Sequence, residues 1–139
     1  MFVKLCRRAT GDVLVANLEL ATTFSQRFWG LQFRSSLAAD TGLLITPCNS
    51  IHTCWMRFTI DAIFLNTKGE VLAIKRVAPW RATLPTRGAA CVVEVLPESV
   101  SVEIGEALCL VPSLVERDRV KRRLSRLQAM LAGDDFLPT

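Results

Sequence analysis

Residues 51–65 read Ile51-His52-Thr53-Cys54-Trp55-Met56-Arg57-Phe58-Thr59-Ile60-Asp61-Ala62-Ile63-Phe64-Leu65, and the rest of the chain is organised around them. This stretch contains the only histidine of the sequence, and its apolar residues form two strand-like runs joined by a kink. Arg57 and Asp61 interrupt the apolar pattern, and an unpaired charge inside a packed sheet is strongly destabilising. The stretch therefore predicts two strands whose charged residues must be satisfied by a partner.

Short runs rich in valine, leucine and isoleucine lie on both sides of this stretch and predict further strands. They are separated by turn residues, such as Thr67-Lys68-Gly69, which is typical of a hairpin. Residues 78–88 contain two prolines and no regular period, and we expect a long loop there that covers another part of the molecule. The predicted strands are residues 2–6, 12–18, 42–45, two within 51–65, 70–77, 90–96 and 107–111.

Three segments have features of helices. Thr23-Phe24-Ser25-Gln26 has the form of a capping box, which predicts a short helix from about Phe24. Residues 97–104 are expected to form a second short helix. A third helix is predicted over residues 113–133, because a second capping box is followed by an apolar stripe at helical spacing and then by a glycine. Its signature residues are Ser113, Glu116, Val120, Leu124, Leu127, Leu131 and Gly133.

Together these elements predict a single β-rich α+β domain of about eight short strands, arranged as a partly rolled sheet or a small barrel. The β-rich domain is expected over residues 1–112, the amphipathic basic C-terminal helix over 113–133 and a tail over 134–139. A chain of 139 residues has the size of one domain with a packed core.

The positive charge of the chain is concentrated near its C-terminal end. Residues 114–131 carry six basic and two acidic side chains, which equals the net charge of +4 for the whole sequence. The N-terminal residues turn polar too soon for a signal peptide, and no run approaches the roughly 18 apolar residues of a membrane span. We therefore expect a cytoplasmic protein without a membrane span, with its five cysteines reduced.

Several blocks of the sequence resemble one family. Arg27-Phe28-Trp29-Gly30-Leu31-Gln32-Phe33-Arg34 is similar to the Arg-x-x-Gly-Leu-x-x-Arg signature of the family called "domain of unknown function 192". The blocks Ile51-His52-Thr53 and Met56-Arg57-Phe58-Thr59-Ile60-Asp61 resemble two further signatures, and Val93-Glu94 and Gly105-Glu106 resemble its strand glutamate and its glycine–acid pair. The chain departs from the family at Pro97-Glu98-Ser99, where members usually have Pro-x-Gly, and at Glu106, where they usually have aspartate. The resemblance covers residues 3–111 and implies a compact, mostly β domain without an established activity.

Charged and polar residues within these blocks form the main candidate site, which comprises Arg27, Arg34, His52, Arg57, Asp61 and Glu94. In one interpretation the arginines bind the anionic part of a small ligand, the other members orient it, and Trp55 and Trp80 supply apolar walls. In the other interpretation the charges form a structural ion-pair network, with Arg57 paired to Asp61 and an arginine of the first helix paired to Glu94. The sequence leaves both open.

Two further site chemistries are weaker alternatives. Cys48, His52 and Cys54 include the nitrogen and sulfur ligands that zinc accepts, but a complete site needs another ligand, and buried cysteines often serve as small apolar residues. His52 oriented by Asp61 has the residue types of a general base, which is the enzyme alternative. The sequence lacks the Gly-x-Ser-x-Gly, P-loop and Rossmann glycine patterns.

The function that we predict is that of a small-ligand binding or accessory domain for an anionic or polar ligand, with no cofactor. The alternatives are an enzyme that uses His52 and Asp61 and a protein-interaction module that acts through residues 113–133. No aromatic residue is interleaved with the basic side chains of that segment, so nucleic-acid binding is not expected.

Overall fold

The computed structural model describes residues 2–23, 26, 37–112 and 125. The described chain contains seven strands, which form one sheet. They are β1 (Phe2–Arg7), β2 (Val13–Ala21), β3 (Thr41–Ile45), β4 (Ile60–Leu65), β5 (Val71–Val77), β6 (Cys91–Val95) and β7 (Leu108–Pro112).

The sheet has the strand order β5-β4-β6-β3-β2-β1-β7. Strands β2 and β3 run parallel, and the other neighbouring strands of the described sheet are antiparallel. The strand order brings the two ends of the described β-rich region together, because β1 lies between β2 and β7.

Both faces of the central strands are covered by apolar side chains. One core packs residues such as Leu5, Leu18 and Ile63 against each other, and a second core on the opposite face contains Ile60 and Phe64. All six residues of β4 are buried. This explains why the sequence of β4 is almost continuously apolar and does not alternate with a period of two.

The outer strands β5 and β7 approach each other at one end of the sheet. The Val71 amide donates a hydrogen bond to the Glu106 carbonyl at 2.9 Å, and the Leu108 amide donates one to the Gly69 carbonyl at 2.9 Å. The described strands therefore form one open sheet, and an isolated bridge between Glu70 and Ala107 links its two outer strands at this end.

Two arginines at the end of β1 fasten this junction. The Arg8 guanidinium donates hydrogen bonds to the carbonyls of Lys68, at 2.6 Å, and Leu108, at 3.2 Å. Arg7 forms an ion pair with Glu106, whose other carboxylate oxygen accepts a hydrogen bond from the Glu103 amide at 3.1 Å. Glu106 of the glycine–acid pair thus has a structural role in the turn before β7.

Gly42 lies where β3 and β6 come close together. A Cβ atom at this position would lie 3.0 Å from the backbone carbonyl oxygen of Glu94 and 3.0 Å from a methyl carbon of Val95. Such contacts are tighter than those of most side chains, so the close approach of the two strands favours glycine here.

The β-rich prediction is confirmed, and two predicted elements are wrong. The first half of residues 51–65 is a loop, which leaves seven strands in the described chain instead of about eight. Residues 97–104 form turns rather than a helix, because Glu98 has a φ of 64° and its amide is held by the carboxylate of Asp61 at 2.9 Å.

The first capping box is confirmed, since the Gln26 amide donates to Thr23 Oγ1 at 3.2 Å and the Thr23 amide donates to Gln26 Oε1 at 3.2 Å. The helix predicted to follow it falls mainly on residues outside the described part, as does the predicted helix over 113–133. The described ranges 2–23 and 37–112 contain no helix. Nor does any described helix have the length and apolarity needed to cross a membrane.

Candidate functional site

Thr53 holds together two loops, residues 46–59 before β4 and residues 78–90 before β6. Its side chain is completely buried, and Oγ1 donates to the Ala78 carbonyl at 2.6 Å and accepts from the Arg81 amide at 2.8 Å. Its backbone amide donates to the Arg81 carbonyl at 2.7 Å, and its carbonyl accepts from the Trp80 amide at 3.0 Å. One threonine in an apolar run thus fixes the second loop against the first.

A second set of contacts extends this loop pair. The Thr83 amide donates to the Ile51 carbonyl at 2.9 Å, and the Ile51 amide donates to Thr83 Oγ1 at 3.0 Å. Between them His52 and Ala82 form an isolated antiparallel bridge. Because the side chains of Ile51 and Met56 are buried in the second core, the first loop is anchored to the sheet.

Two tryptophans lie side by side at the surface of the loop pair. The side chain of Trp55 is 54 % exposed and that of Trp80 is 53 % exposed, and their ring centroids are 4.7 Å apart at an interplanar angle of 61°. Such an edge-to-face pair is a favourable aromatic arrangement. We refer to Trp55 and Trp80 as the tryptophan pair.

Both members of the tryptophan pair have left-handed backbone conformations. The φ angle is 67° at Trp55 and 62° at Trp80. A non-glycine residue in this region costs roughly 1–3 kcal/mol, and such strain is concentrated at ligand-binding and active sites. Thr53 bonds to the backbone on both sides of Trp80 and to the Met56 amide next to Trp55, so these bonds fix the backbone around both residues.

The two loops that carry the tryptophan pair contain basic residues and no acidic ones. Residues 46–59 and 78–90 contain no aspartate or glutamate, and they carry three arginines and the single histidine. All four of these basic residues are exposed. They are His52, Arg57, Arg81 and Arg87.

Asp61 lies at the start of β4 and is only 9 % exposed. Its carboxylate accepts hydrogen bonds from Arg76 Nε, at 3.0 Å, and from the Glu98 amide, at 2.9 Å. The predicted ion pair between Arg57 and Asp61 is therefore wrong, since the partner is Arg76 on the neighbouring strand β5. The hydrogen bond with Asp61 and its negative charge raise the pKa of Arg76.

Glu94 lies on β6 and is 3 % exposed. Its register partner on β4 is Ala62, whereas Asp61 is opposite Val95. Successive residues of a strand point to opposite faces, so the side chains of Asp61 and Glu94 lie on different faces of the sheet. Asp61 is on the face of the first core with Val95, and Glu94 is on the face of the second core with Ala62.

The structure thus divides the predicted ligand-binding set. His52 and Arg57 are exposed on the loop that carries Trp55, while Asp61 and Glu94 are buried on separate faces of the sheet. The Asp61 carboxylate accepts hydrogen bonds from Arg76 and the Glu98 amide, whereas the enzyme alternative needs one from His52. Arg27 and Arg34 lie outside the described residues, and their roles stay predictions.

The candidate zinc ligands do not form a metal site in the described part of the chain. No group of three histidine, cysteine, aspartate or glutamate side chains there could hold a metal ion. The Cys48 thiol donates to the Ser50 carbonyl at 2.9 Å. Burial, and to a smaller extent the neighbouring Cys48, raise the pKa of the Cys91 thiol, which favours its neutral form.

Sequence reasoning named Trp55 and Trp80 as apolar walls, but it missed the loop pairing that places their rings together. It also missed Thr53 and Arg76. A buried threonine in an apolar run is a weak signal, because threonine is also a common strand residue. The partner of Asp61 depends on the β4–β5 register, which local sequence does not specify.

Comparison with known proteins gives one family and several relatives that are similar in sequence. The DUF192 family model, described as "Uncharacterized ACR", matches residues 6–108. A UPF0127 protein of Thermococcus sibiricus is 30 % identical over 127 residues, covering 81 % of this chain and 82 % of the relative. A UPF0127 protein of Pyrococcus furiosus is 36 % identical over 104 residues, covering 70 % of this chain and 90 % of the relative.

Two solved structures are similar to the described fold. A crystal structure of a protein of unknown function from Novosphingobium aromaticivorans has a TM-score of 0.65 at 22 % identity, covering 78 % of this chain and 83 % of the other. A crystal structure of a putative transcription regulator from Sinorhizobium meliloti has a TM-score of 0.66 at 25 % identity, covering 78 % of this chain and 91 % of the other.

Proposed function

The chain belongs to the uncharacterised family DUF192, and we propose that it is a ligand-binding domain. Its binding surface is the tryptophan pair. The ligand is a small anion with a flat or C–H-rich face. The face stacks on the indoles, and the negative group interacts with the basic residues of the two loops.

The conformation of the tryptophan pair is the observation that carries this proposal. Two large apolar side chains are each more than half exposed, although burial of such side chains normally stabilises a fold. Both are also held at positive φ, which adds conformational strain. Exposure and strain are both unfavourable for stability alone, and both are accounted for if the indoles receive a ligand.

Charge supports the anionic character of the ligand. Arg57 follows Trp55 by two residues, Arg81 follows Trp80 directly, and neither loop contains an acidic residue. Guanidinium groups donate paired hydrogen bonds to carboxylates and phosphates, and they retain their charge at all physiological pH values.

The proposal keeps two members of the predicted ligand-binding set at the surface and changes the role of two others. His52 and Arg57 flank the tryptophan pair and contact the ligand. Asp61 and Glu94 stabilise the sheet beneath it, in line with their burial. Arg27 and Arg34 remain predicted ligand-binding residues.

Nuclear magnetic resonance of the indole N–H groups tests this proposal directly. The three tryptophans of the chain give three indole signals, which the variants Trp55→Gly and Trp80→Gly assign. The titrants are 4-hydroxybenzoate, glucuronate and adenosine monophosphate, which combine a negative group with an aromatic ring, a sugar ring or both. At least one of them is expected to shift the signals of Trp55 and Trp80 in a saturable way.

Two variants make the result specific. Arg57→Gln is expected to weaken binding about tenfold, the equivalent of about 1.4 kcal/mol. Phe2→Ala removes an aromatic side chain that is 51 % exposed elsewhere on the sheet, and it should leave the affinity unchanged. The proposal is overturned if all three anions leave both signals in place, or if Phe2→Ala weakens binding as much as Arg57→Gln.

The two alternative functions are less well supported. An enzyme based on His52 and Asp61 would need these side chains together, whereas Asp61 is bound to Arg76 and the Glu98 amide. An interaction module would use residues 113–133, of which the structure describes Ser125 alone. The relative from Sinorhizobium meliloti is described as a putative transcription regulator, and a regulatory domain that senses a small anion is compatible with our proposal.

A further inference from the structure

Strands β1 and β7 bring two cysteines directly opposite each other. Cys6 on β1 is the register partner of Cys109 on β7. The Arg8 amide donates a backbone hydrogen bond to the Ala107 carbonyl at 3.0 Å, so Arg8 and Ala107 form a hydrogen-bonded pair. Hydrogen-bonded pairs recur at every second position of an antiparallel ladder, and Cys6 and Cys109 therefore form one as well. The α-carbons of such a pair are about 5.5 Å apart, which falls within the range spanned by disulfides.

The two thiols also lie on the same face of the sheet. Leu5 and Leu110, their neighbours along the two strands, point into the first core, so Cys6 and Cys109 lie on the opposite face. Cys6 is 4 % exposed and Cys109 is 8 % exposed. The structure describes both as free thiols.

The electrostatic surroundings of the pair contain basic and thiol groups. Burial raises the pKa of both thiols, and the neighbouring Cys109 raises that of Cys6 further. Lys4, on the same strand, lowers the pKa of Cys6 and Arg8 lowers that of Cys109, without reversing the direction of either shift. Since the thiolate is the reactive form, oxidation is expected to be slow and is best observed at equilibrium.

We propose that Cys6 and Cys109 form a dithiol modification site that is oxidised reversibly to a cross-strand disulfide. The oxidant is a low-molecular-weight disulfide such as oxidised glutathione. The bond would link the first described strand to the last and so fasten β7, the strand that leads into residues 113–139.

The reaction proceeds by two thiol–disulfide exchanges. The thiolate of one cysteine attacks a sulfur of oxidised glutathione, forms a mixed disulfide and releases one glutathione thiolate. The second cysteine loses its proton and attacks the protein sulfur of that mixed disulfide, which forms the Cys6–Cys109 bond and releases the second glutathione. Two cysteine thiols are oxidised and one glutathione disulfide is reduced to two glutathione molecules, so electrons and protons balance.

The experiment equilibrates the folded, reduced full-length chain in buffers of increasing oxidised-to-reduced glutathione ratio. Remaining thiols are then alkylated, and peptides are mapped by mass spectrometry without reduction. The expected product is one intramolecular cross-link between the peptides of Cys6 and Cys109, with the loss of two hydrogen atoms. The oxidised chain should also unfold at a higher urea concentration, because the cross-link restricts the unfolded chain.

Matched variants separate this pair from the other thiols. Cys6→Ser should abolish the cross-link, whereas Cys54→Ser should leave both its yield and its midpoint ratio unchanged. The chain oxidised in urea provides a reference that does not depend on folding, and there the cysteines should pair in a mixture. The proposal is overturned if the native chain keeps Cys6 and Cys109 reduced at ratios that oxidise the unfolded chain. It is equally overturned if Cys48 and Cys91 pair first, or if the product is a mixed disulfide with glutathione.

Discussion

Asp61 and Glu94 lie on adjacent strands, one position apart in register, and their side chains lie on opposite faces of the sheet. Two carboxylates that the sequence groups into one site are therefore separated by the sheet itself. The two described basic members of the set, His52 and Arg57, are exposed on the loop before β4, whereas both carboxylates are buried in the sheet.

This separation predicts that substitutions of the two carboxylates act independently. Asp61→Asn and Glu94→Gln should each lower the free energy of unfolding. The double variant should lie within about 0.5 kcal/mol of the sum of the two single effects, as for residues that do not interact. Urea denaturation of the four proteins checks this, and a coupling well above that value would place both groups in one network.

The left-handed conformation of the tryptophan pair predicts an unusual order of stabilities. Glycine adopts positive φ without strain, so Trp80→Gly should be more stable than Trp80→Ala by about 1 kcal/mol or more. Phe2 provides the matched control, because at this strand position glycine should be less stable than alanine. Thermal or urea unfolding measures both differences, and the same order at the two sites would argue against strain at Trp80.

The hydroxyl of Thr53 is predicted to hold the second loop in place. Thr53→Val keeps the shape of the side chain but leaves the Ala78 carbonyl and the Arg81 amide without this partner. We expect a loss of about 1–3 kcal/mol in the free energy of unfolding. Thr53→Ser retains the hydroxyl and should lose less. Hydrogen exchange at the Trp80 and Arg81 amides should be faster in the valine variant than in the serine variant.

Close packing at Gly42 predicts that even a methyl group is destabilising. In Gly42→Ala the added Cβ would press on the Glu94 carbonyl, and overpacking of this kind costs about 1–3 kcal/mol. Gly11 has open space around it and a φ of 78°, so Gly11→Asn, which tolerates that conformation, should cost less. Equal losses at both positions in urea unfolding would contradict the steric explanation.

The buried thiols predict a loss of stability at alkaline pH. The pKa of Cys91 is raised above the ordinary thiol value of 9.0 by burial. Below pH 9 the thiol is neutral in both folded and unfolded chains, so it adds no pH dependence. As the pH rises above 9 the unfolded chain ionises first, and the free energy of unfolding falls. Cys91→Ala should be less stable at pH 7 because of the cavity, but its stability should fall less steeply from pH 8 to pH 10 than that of the unaltered chain.

Local sequence predicts those parts of the fold that depend on neighbouring residues. The turn at Thr67-Lys68-Gly69 is formed with Gly69 at a φ of 80°, and the Thr23–Gln26 capping box is made as expected. Both depend on side chains within four residues of the backbone groups that they bind. The apolar runs likewise predict most strands, since a strand buried on both faces must be apolar throughout.

Features that depend on long-range register could not be predicted in this way. The sequence around Trp55 has the composition of a strand, but the structure has a turn there. This turn is held by Thr53, which bonds to backbone groups 25 and 28 residues away. The face on which Glu94 lies depends on the alignment of β6 with β4, and a shift of one residue would reverse it. The pairing of Cys6 with Cys109 spans nearly the whole sheet in sequence, so no local pattern indicates it.

The adjacency of β1 and β7 places the two chain ends of the described sheet side by side. Val3 and Pro112 are register partners, so the chain enters and leaves the sheet at neighbouring points. A host protein could accept residues 2–112 within one of its surface loops without separating the ends of that loop.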